Sequence, residues 1–340
     1  MRQFFLSLLG SIVGFFIAIF LVFILIAGLI GAAISSAGSS SGAQSLAKAD
    51  AAVLTLNLRS GFIDHGGEGA IFGGDAPSLV TTVRALNRAK SDKKIKGLLI
   101  RANGWGMSPA QAEELSLAIN DFKTSGKFVI AHAQGFAGTS LSGYMAVSGA
   151  DEIWMQKTTG VAMSGYRAEI EFLGGVFEKF DAQPQFIQFY EYKNAANTYT
   201  QKTLTDAHRE SMTSMLGSLM DSSVAVITEN RDIEKQAFLG FLDNAPHSAE
   251  DAKAFGIVDK FGYYDDARDY AEEKAGKDAS FVSVSDYGAG YNTGPVIAFV
   301  GGQGAVVEGS SSGGNPFSGG GLTMGSDTLS SALIKISEDD

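Results

Sequence analysis

The N-terminal part of the chain constrains the fold most, because it is long, apolar and uncharged. No charged side chain occurs between Gln3 and Ala47, and residues 4–33 are almost continuously apolar. About 20 apolar residues in a helix cross the hydrocarbon core of a bilayer, so this stretch is long enough to span it with some tilt. We predict a transmembrane anchor over residues 1–34 and a flexible Ser/Gly/Ala-rich tether over residues 35–50.

A cleaved signal peptide is the alternative interpretation of this stretch. Its apolar region would be roughly 7–15 residues long, which is shorter than the stretch in this chain. Small residues at 43–47 nevertheless leave cleavage open. Arg2 precedes the apolar residues, and positive charge favours the cytoplasmic side of a membrane. We therefore predict that the rest of the chain lies on the extracytoplasmic side.

Composition excludes several classes of function. The formal net charge of −11 argues against a nucleic-acid partner. The chain has no cysteine, which excludes thiol catalysis and a disulfide framework. The histidines lack the spacing of metal ligands, so neither a metal site nor a cofactor is predicted. These histidines are His65, His132, His208 and His247.

Short apolar segments alternate with amphipathic ones after the tether. This alternation predicts an α/β fold with a parallel sheet covered by helices. Ser108 and Pro109 are suited to the N-cap and the first position of a helix. The predicted strands cover residues 53–58, 97–100, 128–131, 153–155, 186–190 and 256–259. The predicted helices cover residues 78–89, 108–125, 139–148, 204–229 and 248–255.

The end of the sequence repeats the order of elements at the start of the body. A predicted strand at 295–300, a Gly/Ser-rich loop at 309–321 and a predicted helix at 329–336 follow one another. We therefore divide the body into a first unit, residues 51–290, and the start of a second unit, residues 291–340. The second unit lacks the strand that should follow its helix. The expectation is that the natural chain continues beyond its last residue, or that a partner chain completes this unit.

Three segments carry residues suited to chemistry. The Gly-rich turn at 103–109 could direct backbone N–H groups at an oxyanion, although glycine is common in strand-to-helix turns. The segment 138–144 could expose a nucleophilic serine at the start of a helix, although its small residues equally suit close packing. Lys193, in segment 190–196, follows a predicted buried strand among aromatic residues. Desolvation lowers the pKa of an amine and would make it a general base, although most lysines are solvated surface groups.

Four motifs, in this order and spacing, resemble the signal peptide peptidase A family, the membrane-anchored Ser–Lys peptidases of the ClpP/crotonase superfamily. The resemblance extends from about residue 51 to the end and is to the long, tandem form, of which this chain would be the N-terminal half. The motifs are Lys-Gly-Leu-Leu-Ile-Arg at 96–101, Gly-Tyr through Ala-Asp-Glu-Ile at 143–153, Tyr-Lys-Asn-Ala at 192–195, and the segment ending in Gly-Ile-Val-Asp at 252–259.

This resemblance implies a division of labour between two units. It assigns the general base to Lys193 and the nucleophilic serine to the second unit, beyond Asp340. In the first unit, Leu141 occupies the place of that serine. The family's Asp-Ser-Pro-Gly-Gly turn is also replaced, by Ala-Asn-Gly-Trp-Gly at 102–106.

The resemblance further implies amide hydrolysis without a metal or cofactor. Expected substrates are apolar peptides, chiefly signal peptides left after cleavage. The protein would be anchored by a single span in the bacterial inner membrane, with its body in the periplasm. It would form a homo-oligomer that encloses the sites next to the bilayer.

Three alternatives remain open at this point. The chain could be a non-catalytic membrane-tethered scaffold or binding protein on a degenerate peptidase fold. It could be a short-form peptidase that pairs Ser140 or Ser142 with Lys193. It could also be an acyl-thioester enzyme of the crotonase type, which an extracytoplasmic location disfavours because CoA substrates are cytoplasmic.

Overall fold

The computed structural model describes residues 14–16, 20, 49–59, 61, 63–64, 78–102, 107–288, 298, 300–302, 304–312 and 323–338. The predicted anchor at 1–34 and the tether at 35–50 lie almost entirely outside these residues. Within the described part of the chain, no helix is both long and apolar enough to cross a membrane.

A six-stranded sheet with all neighbours parallel lies at the centre of the fold formed by the described residues between 51 and 288, which confirms the predicted α/β fold. The spatial order of its strands is β8-β5-β3-β2-β1-β9. Four of the predicted strands are found here, each within two residues of its predicted bounds. The strands are β1 (Ala52–Asn57), β2 (Ile95–Arg101), β3 (Phe128–Ala133), β5 (Glu152–Met155), β8 (Lys260–Phe261) and β9 (Ser280–Ser283).

Both faces of this sheet are buried, because the strands carry apolar residues at successive positions. Leu54 and Leu56 point to one core, whereas Val53, just before them, points to the other. Three alanines spaced four residues apart let the helix α9 (Tyr264–Ala275) approach the second face closely. They are Ala267, Ala271 and Ala275.

A second sheet has three strands, which lie between strands of the main sheet along the sequence. It consists of β4 (Phe136–Ser140), β6 (Gly160–Ser164) and β7 (His247–Ser248), with β4 and β6 parallel and β6 and β7 antiparallel. The predicted helix at 139–148 is therefore wrong at its start. Thr139 and Ser140 end a strand because β4 pairs with β6, and the helix that follows is only α3 (Leu141–Met145).

The helices that cover the sheets agree with most of the predicted ones. Ser108 and Gln111 form a capping box at the second helix, with Pro109 in its first turn, as the sequence predicts. The remaining bounds are α1 (Leu79–Ser91), α2 (Pro109–Lys123), α4 (Gly174–Lys179), α5 (Asn197–Thr200), α6 (Asp206–Arg231), α7 (Lys235–Asp243), α8 (Ala249–Phe255), α9 (Tyr264–Ala275) and α10 (Val284–Tyr287).

Two predicted strands are not found where the sequence placed them. Residues 256–259 form no strand, since Gly256 has φ +94° and ends α8 in a turn, and the strand begins only at Lys260, directly after the predicted segment, as β8. Residues 186–190 form no strand with the described residues. Their side chains are exposed instead of buried, Ile187 to 91%. The burial that the apolar pattern predicts would therefore have to come from a surface outside the described residues.

The described residues after 290 form a small separate element. The strands β10 (Ala305–Val307) and β11 (Thr323–Gly325) pair in parallel and lead into α11 (Ser326–Ser337). The predicted helix at 329–336 is confirmed within α11. Most of the predicted strand at 295–300 and most of the loop at 309–321 lie outside the described residues.

Asn230, near the end of α6, hydrogen-bonds that helix to α2 and to the residues that follow α3. Its amide donates to the hydroxyl oxygens of Ser116 (2.9 Å) and Ser148 (2.8 Å), and its carbonyl oxygen accepts from Asn120 (2.7 Å). Both serines are completely buried. Their hydroxyls would lose a partner if the amide were removed.

We expect Asn230→Ala to lower the free energy of unfolding by about 1–3 kcal/mol, because buried polar atoms are then left without a hydrogen bond. Chemical denaturation followed by circular dichroism measures this change. The control is Gln236→Ala on the exposed side of α7, which should change stability by less than about 0.5 kcal/mol. Equal effects of the two variants would contradict the prediction.

Glu152, the first residue of β5, accepts from or pairs with four donor side chains. Its carboxylate accepts from Tyr270 (2.9 Å) and Trp154 (3.0 Å) and forms ion pairs with Lys260 (3.0 Å) and Lys274 (3.4 Å). Burial raises the pKa of Glu152, but the hydrogen bonds from Lys260, Tyr270 and Trp154 outweigh it and hold the pKa below its usual value of 4.5.

A lowered carboxyl pKa stabilises the fold above the unfolded pKa, and this stabilisation is lost as pH falls through the folded pKa. We therefore expect Glu152→Gln to be less stable than the parent protein at pH 7. The difference should shrink as pH falls below about 4.5. Denaturation midpoints measured from pH 7 to pH 3 test this, and a difference that stays constant over that range would contradict it.

Candidate functional site

The turn from β4 to α3 holds the segment 138–144. Ser140 is the N-cap of α3, and its Oγ accepts the N–H of Gly143 at 3.1 Å. Leu141 is completely buried in the main core. Ser142 is buried, and its Oγ lies 3.0 Å from the hydroxyl of Tyr166. Both serines thus have structural partners in this arrangement.

A chain of three hydroxyl groups links this turn to α6. Tyr166 lies between Ser142 and Ser223, with its oxygen 2.6 Å from the Oγ of Ser223. Ser223 is also buried. Buried hydroxyls held in such a chain stabilise the packing of α6 against α3.

Two of the sequence motifs meet in one joint, which we call the Tyr144–Asp259 joint after its end members. The buried hydroxyl of Tyr144 donates to the carbonyl oxygen of Ile257 at 2.8 Å, and burial raises its pKa. Asp259 accepts from the N–H of Ile153 (2.7 Å) and from the guanidinium of Arg231 (2.7 Å). The motifs at 143–153 and 252–259 are thereby explained as structural, since each supplies partners to the other.

Arg231 completes the joint from α6. Its guanidinium also donates to the carbonyl oxygen of Gly256 at 2.8 Å and 3.0 Å, and its side chain is 8% exposed. Burial alone would lower the pKa of Arg231, but the Tyr144 and Asp259 side chains raise it. The guanidinium therefore stays charged and holds the turn that leads into β8.

Lys193 lies on an exposed segment between α4 and α6. Its own side chain is exposed and makes no ion pair or side-chain hydrogen bond with the residues that the structure describes. Tyr190, three residues earlier, is 84% exposed and has φ +65°, which is uncommon for a bulky residue. Asn197 is buried and donates to Asn194 at 3.1 Å, so the segment is fixed directly after the lysine.

The desolvation that the sequence led us to expect around Lys193 is therefore not provided by this chain's described residues. The expected cause was a buried strand at 186–190, and that strand is not formed. Tyr192 next to it donates to Glu210 at 2.8 Å, which raises the pKa of Tyr192. Residues 103–106 of the predicted oxyanion turn lie outside the described residues.

A cavity at the carboxyl end of the main sheet was missed by the sequence analysis. Its volume is about 320 Å³, and it opens beside β4. Arg101 stacks on the ring of Tyr264, with 4.2 Å between its Cζ and the ring centroid. Burial raises the pKa of Tyr264 and lowers that of His132, which donates to the carbonyl oxygen of Gly262 (3.1 Å). Within the described residues, no group of three or more acidic or histidine side chains could hold a metal ion.

Comparison with known families decides the identity of the segment that contains these residues. Residues 121–278 match the family model for peptidase family S49. This segment is a peptidase family S49 domain. The match includes Lys193, the α3 turn and the Tyr144–Asp259 joint. It confirms the resemblance to the signal peptide peptidase A family.

Named relatives agree with this assignment. Protease 4 of Haemophilus influenzae is 29% identical over 163 residues, which are 48% of this chain and 26% of that protein. The chain thus spans about a quarter of the length of this relative. A putative signal peptide peptidase SppA of Enterococcus faecium is 23% identical over 239 residues, covering 68% of this chain and 67% of that protein.

Among solved structures, the chain is similar to a ClpP1 mutant from Listeria monocytogenes. The two are 10% identical, and the similarity covers 62% of this chain and 90% of that one, with a TM-score of 0.37.

Proposed function

We propose that this chain is part of a membrane-anchored serine endopeptidase with a Ser–Lys dyad, in which Lys193 is the general base. The observation that carries the proposal is the peptidase family S49 match over residues 121–278, which includes Lys193. We propose apolar peptides as substrates, chiefly signal peptides left after cleavage. The uncharged residues 4–33 support an anchor in the bacterial inner membrane with the body in the periplasm.

The proposed chemistry needs a neutral amine at Lys193. Its Nζ takes the proton of a serine hydroxyl while the serine Oγ attacks the scissile carbonyl carbon. The resulting ammonium then gives that proton to the leaving amine as the C–N bond breaks. Water, deprotonated by the same amine, hydrolyses the acyl-enzyme and restores the serine.

The nucleophile is proposed to come from outside the first unit. Leu141 is buried at the position where the resemblance expects the serine. Its neighbours Ser140 and Ser142 are engaged in a helix cap and in the hydroxyl chain to Tyr166. This division of labour matches the long form of the family, in which the second unit carries the serine.

Exposure of the segment around Lys193 supports a homo-oligomer, or a second unit, that covers it. Ile187 and Tyr190 are almost fully exposed, and neighbouring apolar side chains are exposed to half or more, which is unfavourable in water. Covering them would also remove water from Lys193. The same contact would then desolvate the base and bring a serine to it. The other exposed side chains are Phe186, Phe189 and Tyr192.

Labelling with a serine-reactive fluorophosphonate tests this proposal. The natural full-length protein is labelled, digested, and mapped by mass spectrometry. We expect one labelled serine, located outside residues 51–290. A label on Ser140 or Ser142 would contradict the division of labour and support the short-form alternative. An unlabelled protein would contradict the peptidase itself and support the tethered binding protein, which the buried Leu141 also favours.

A further inference from the structure

The cavity at the carboxyl end of the main sheet is basic, although the chain as a whole is acidic. Arg59 and Arg101 both line it, and none of the described residues that line it carries a carboxylate. The formal net charge of the chain is −11. The remaining lining residues are Ala102, His132, Gln134, Gly135, Ala137, Thr139, Gln156 and Tyr264.

Strand alternation explains why these polar residues converge. Leu99, Ile130 and Trp154 belong to the core on the α9 face of the sheet. Two residues further along, their strands present Arg101, His132 and Gln156 on the same face. The strands are parallel neighbours, so their carboxyl ends meet at one edge of the sheet. Such an edge is the usual place for a ligand in an α/β fold.

Both guanidinium groups are available to a ligand. Neither Arg59 nor Arg101 forms an ion pair with the residues that the structure describes; Arg101 only stacks on Tyr264. Asp265 and Asp266, in the first turn of α9, are the acidic residues whose charges raise the pKa of His132. The carboxylate of Asp266 accepts a hydrogen bond from the N–H of Tyr263 at 2.7 Å, within its own helix cap.

We propose that this cavity binds the C-terminal carboxylate of a peptide. A guanidinium group presents paired N–H donors that match the two oxygens of a carboxylate. The side-chain amides of Gln134 and Gln156 add neutral donors at the rim. The volume of about 320 Å³ suits a carboxylate together with the residue that bears it.

The position of the cavity relates it to the peptidase site. Ala137 and Thr139 of β4 line it, and the next two residues are Ser140 and Leu141. The first unit, to which the proposed function assigns no nucleophile, would thus hold the C-terminal end of a peptide next to the turn at 138–144. A peptide released by an earlier cleavage has a free carboxylate at its new C-terminal end. In the intact precursor chain, the same residue is joined to the next one by a peptide bond. The choice of a peptide as ligand rests on the proposed function.

Equilibrium binding of a matched peptide pair tests the proposal. The probes are one N-terminally labelled apolar peptide with a free C-terminal carboxylate, the same peptide with an amidated C-terminus, and inorganic phosphate. The full-length protein is first treated with the fluorophosphonate, so that hydrolysis does not consume the peptide, and fluorescence anisotropy is measured. We expect the free acid to bind about 10-fold to 100-fold more tightly than the amide, as for one charge-assisted pair.

Variants locate this preference. Arg59→Ala should reduce it at least about fivefold, and Arg59 is exposed, so the core stays intact. Arg101→Gln should do the same. Arg84→Ala, an exposed arginine of α1, is the matched control and should leave the preference unchanged. Equal affinity for acid and amide, or a preference that survives both variants, would overturn the proposal. Phosphate binding that depends on Arg59, together with equal affinity for the two peptides, would overturn the choice of carboxylate.

The two proposals fail in different ways. An unlabelled protein that still prefers the free acid through Arg59 would overturn the peptidase and keep the carboxylate site. A protein that is labelled and cleaves peptides, but binds the free acid and the amide equally, would keep the peptidase and overturn the carboxylate site.

Discussion

Replacing Asp259 with alanine is expected to lower the free energy of unfolding by about 3 kcal/mol, because it leaves the buried guanidinium of Arg231 without its counter-charge. Breaking one side of a buried ion pair typically costs about 3–5 kcal/mol. The lower end applies here, since the side chain of Asp259 is 32% exposed. The N–H of Ile153 loses its acceptor as well.

A second ion pair in the same domain provides the control. Asp221 and Lys235 are 2.9 Å apart, but their side chains are 72% and 55% exposed. Because water screens such a pair, Asp221→Ala should cost less than about 1 kcal/mol. Urea denaturation at pH 7 compares the two variants. Similar losses for Asp259→Ala and Asp221→Ala would contradict the structural role given to the Tyr144–Asp259 joint.

The sheet could be predicted from the sequence because its signals are local. Segments such as 97–100 and 128–131 are apolar at successive positions. This pattern is typical of a parallel strand that is covered on both faces. Ser108 and Pro109 likewise mark a helix start within a few residues. The helix predicted over 139–148 failed because small residues suit a strand and a helix alike, and pairing of β4 with β6 decides between them.

Residues 186–190 show a different limit. Their apolar pattern indicates that something buries them, but it carries no information on which surface does so. Within the described residues they remain exposed. A pattern along one chain cannot distinguish a core strand from a segment that another unit or another copy would cover.

The basic cavity could not be predicted because its residues are dispersed. Arg59, Arg101, His132 and Gln156 come from four segments separated by many residues. Only the order of strands in the sheet brings them to one edge. Lys193, in contrast, is proposed from a short contiguous motif, Tyr-Lys-Asn-Ala at 192–195, which can be seen in the sequence alone.

Loss of the amine at Lys193 is expected to have the largest effect on activity. General-base catalysis contributes about 10²-fold to 10⁴-fold to a rate, so Lys193→Ala should lower kcat/KM for peptide hydrolysis by that factor. Lys193→Arg should be equally inactive, because a guanidinium stays protonated and cannot accept a proton. Folding should be unaffected, since the side chain of Lys193 is exposed.

The role of Lys193 is tested most directly by kcat/KM for an apolar peptide, measured with the full-length protein and two single variants. Lys179→Ala is the matched control, because this lysine of α4 is also exposed and forms no ion pair with described residues. We expect Lys179→Ala to retain the parent activity and Lys193→Ala to lose at least about 10²-fold, with circular dichroism spectra and oligomeric state unchanged. Equal activity of the two variants would contradict the assignment of Lys193 as the general base.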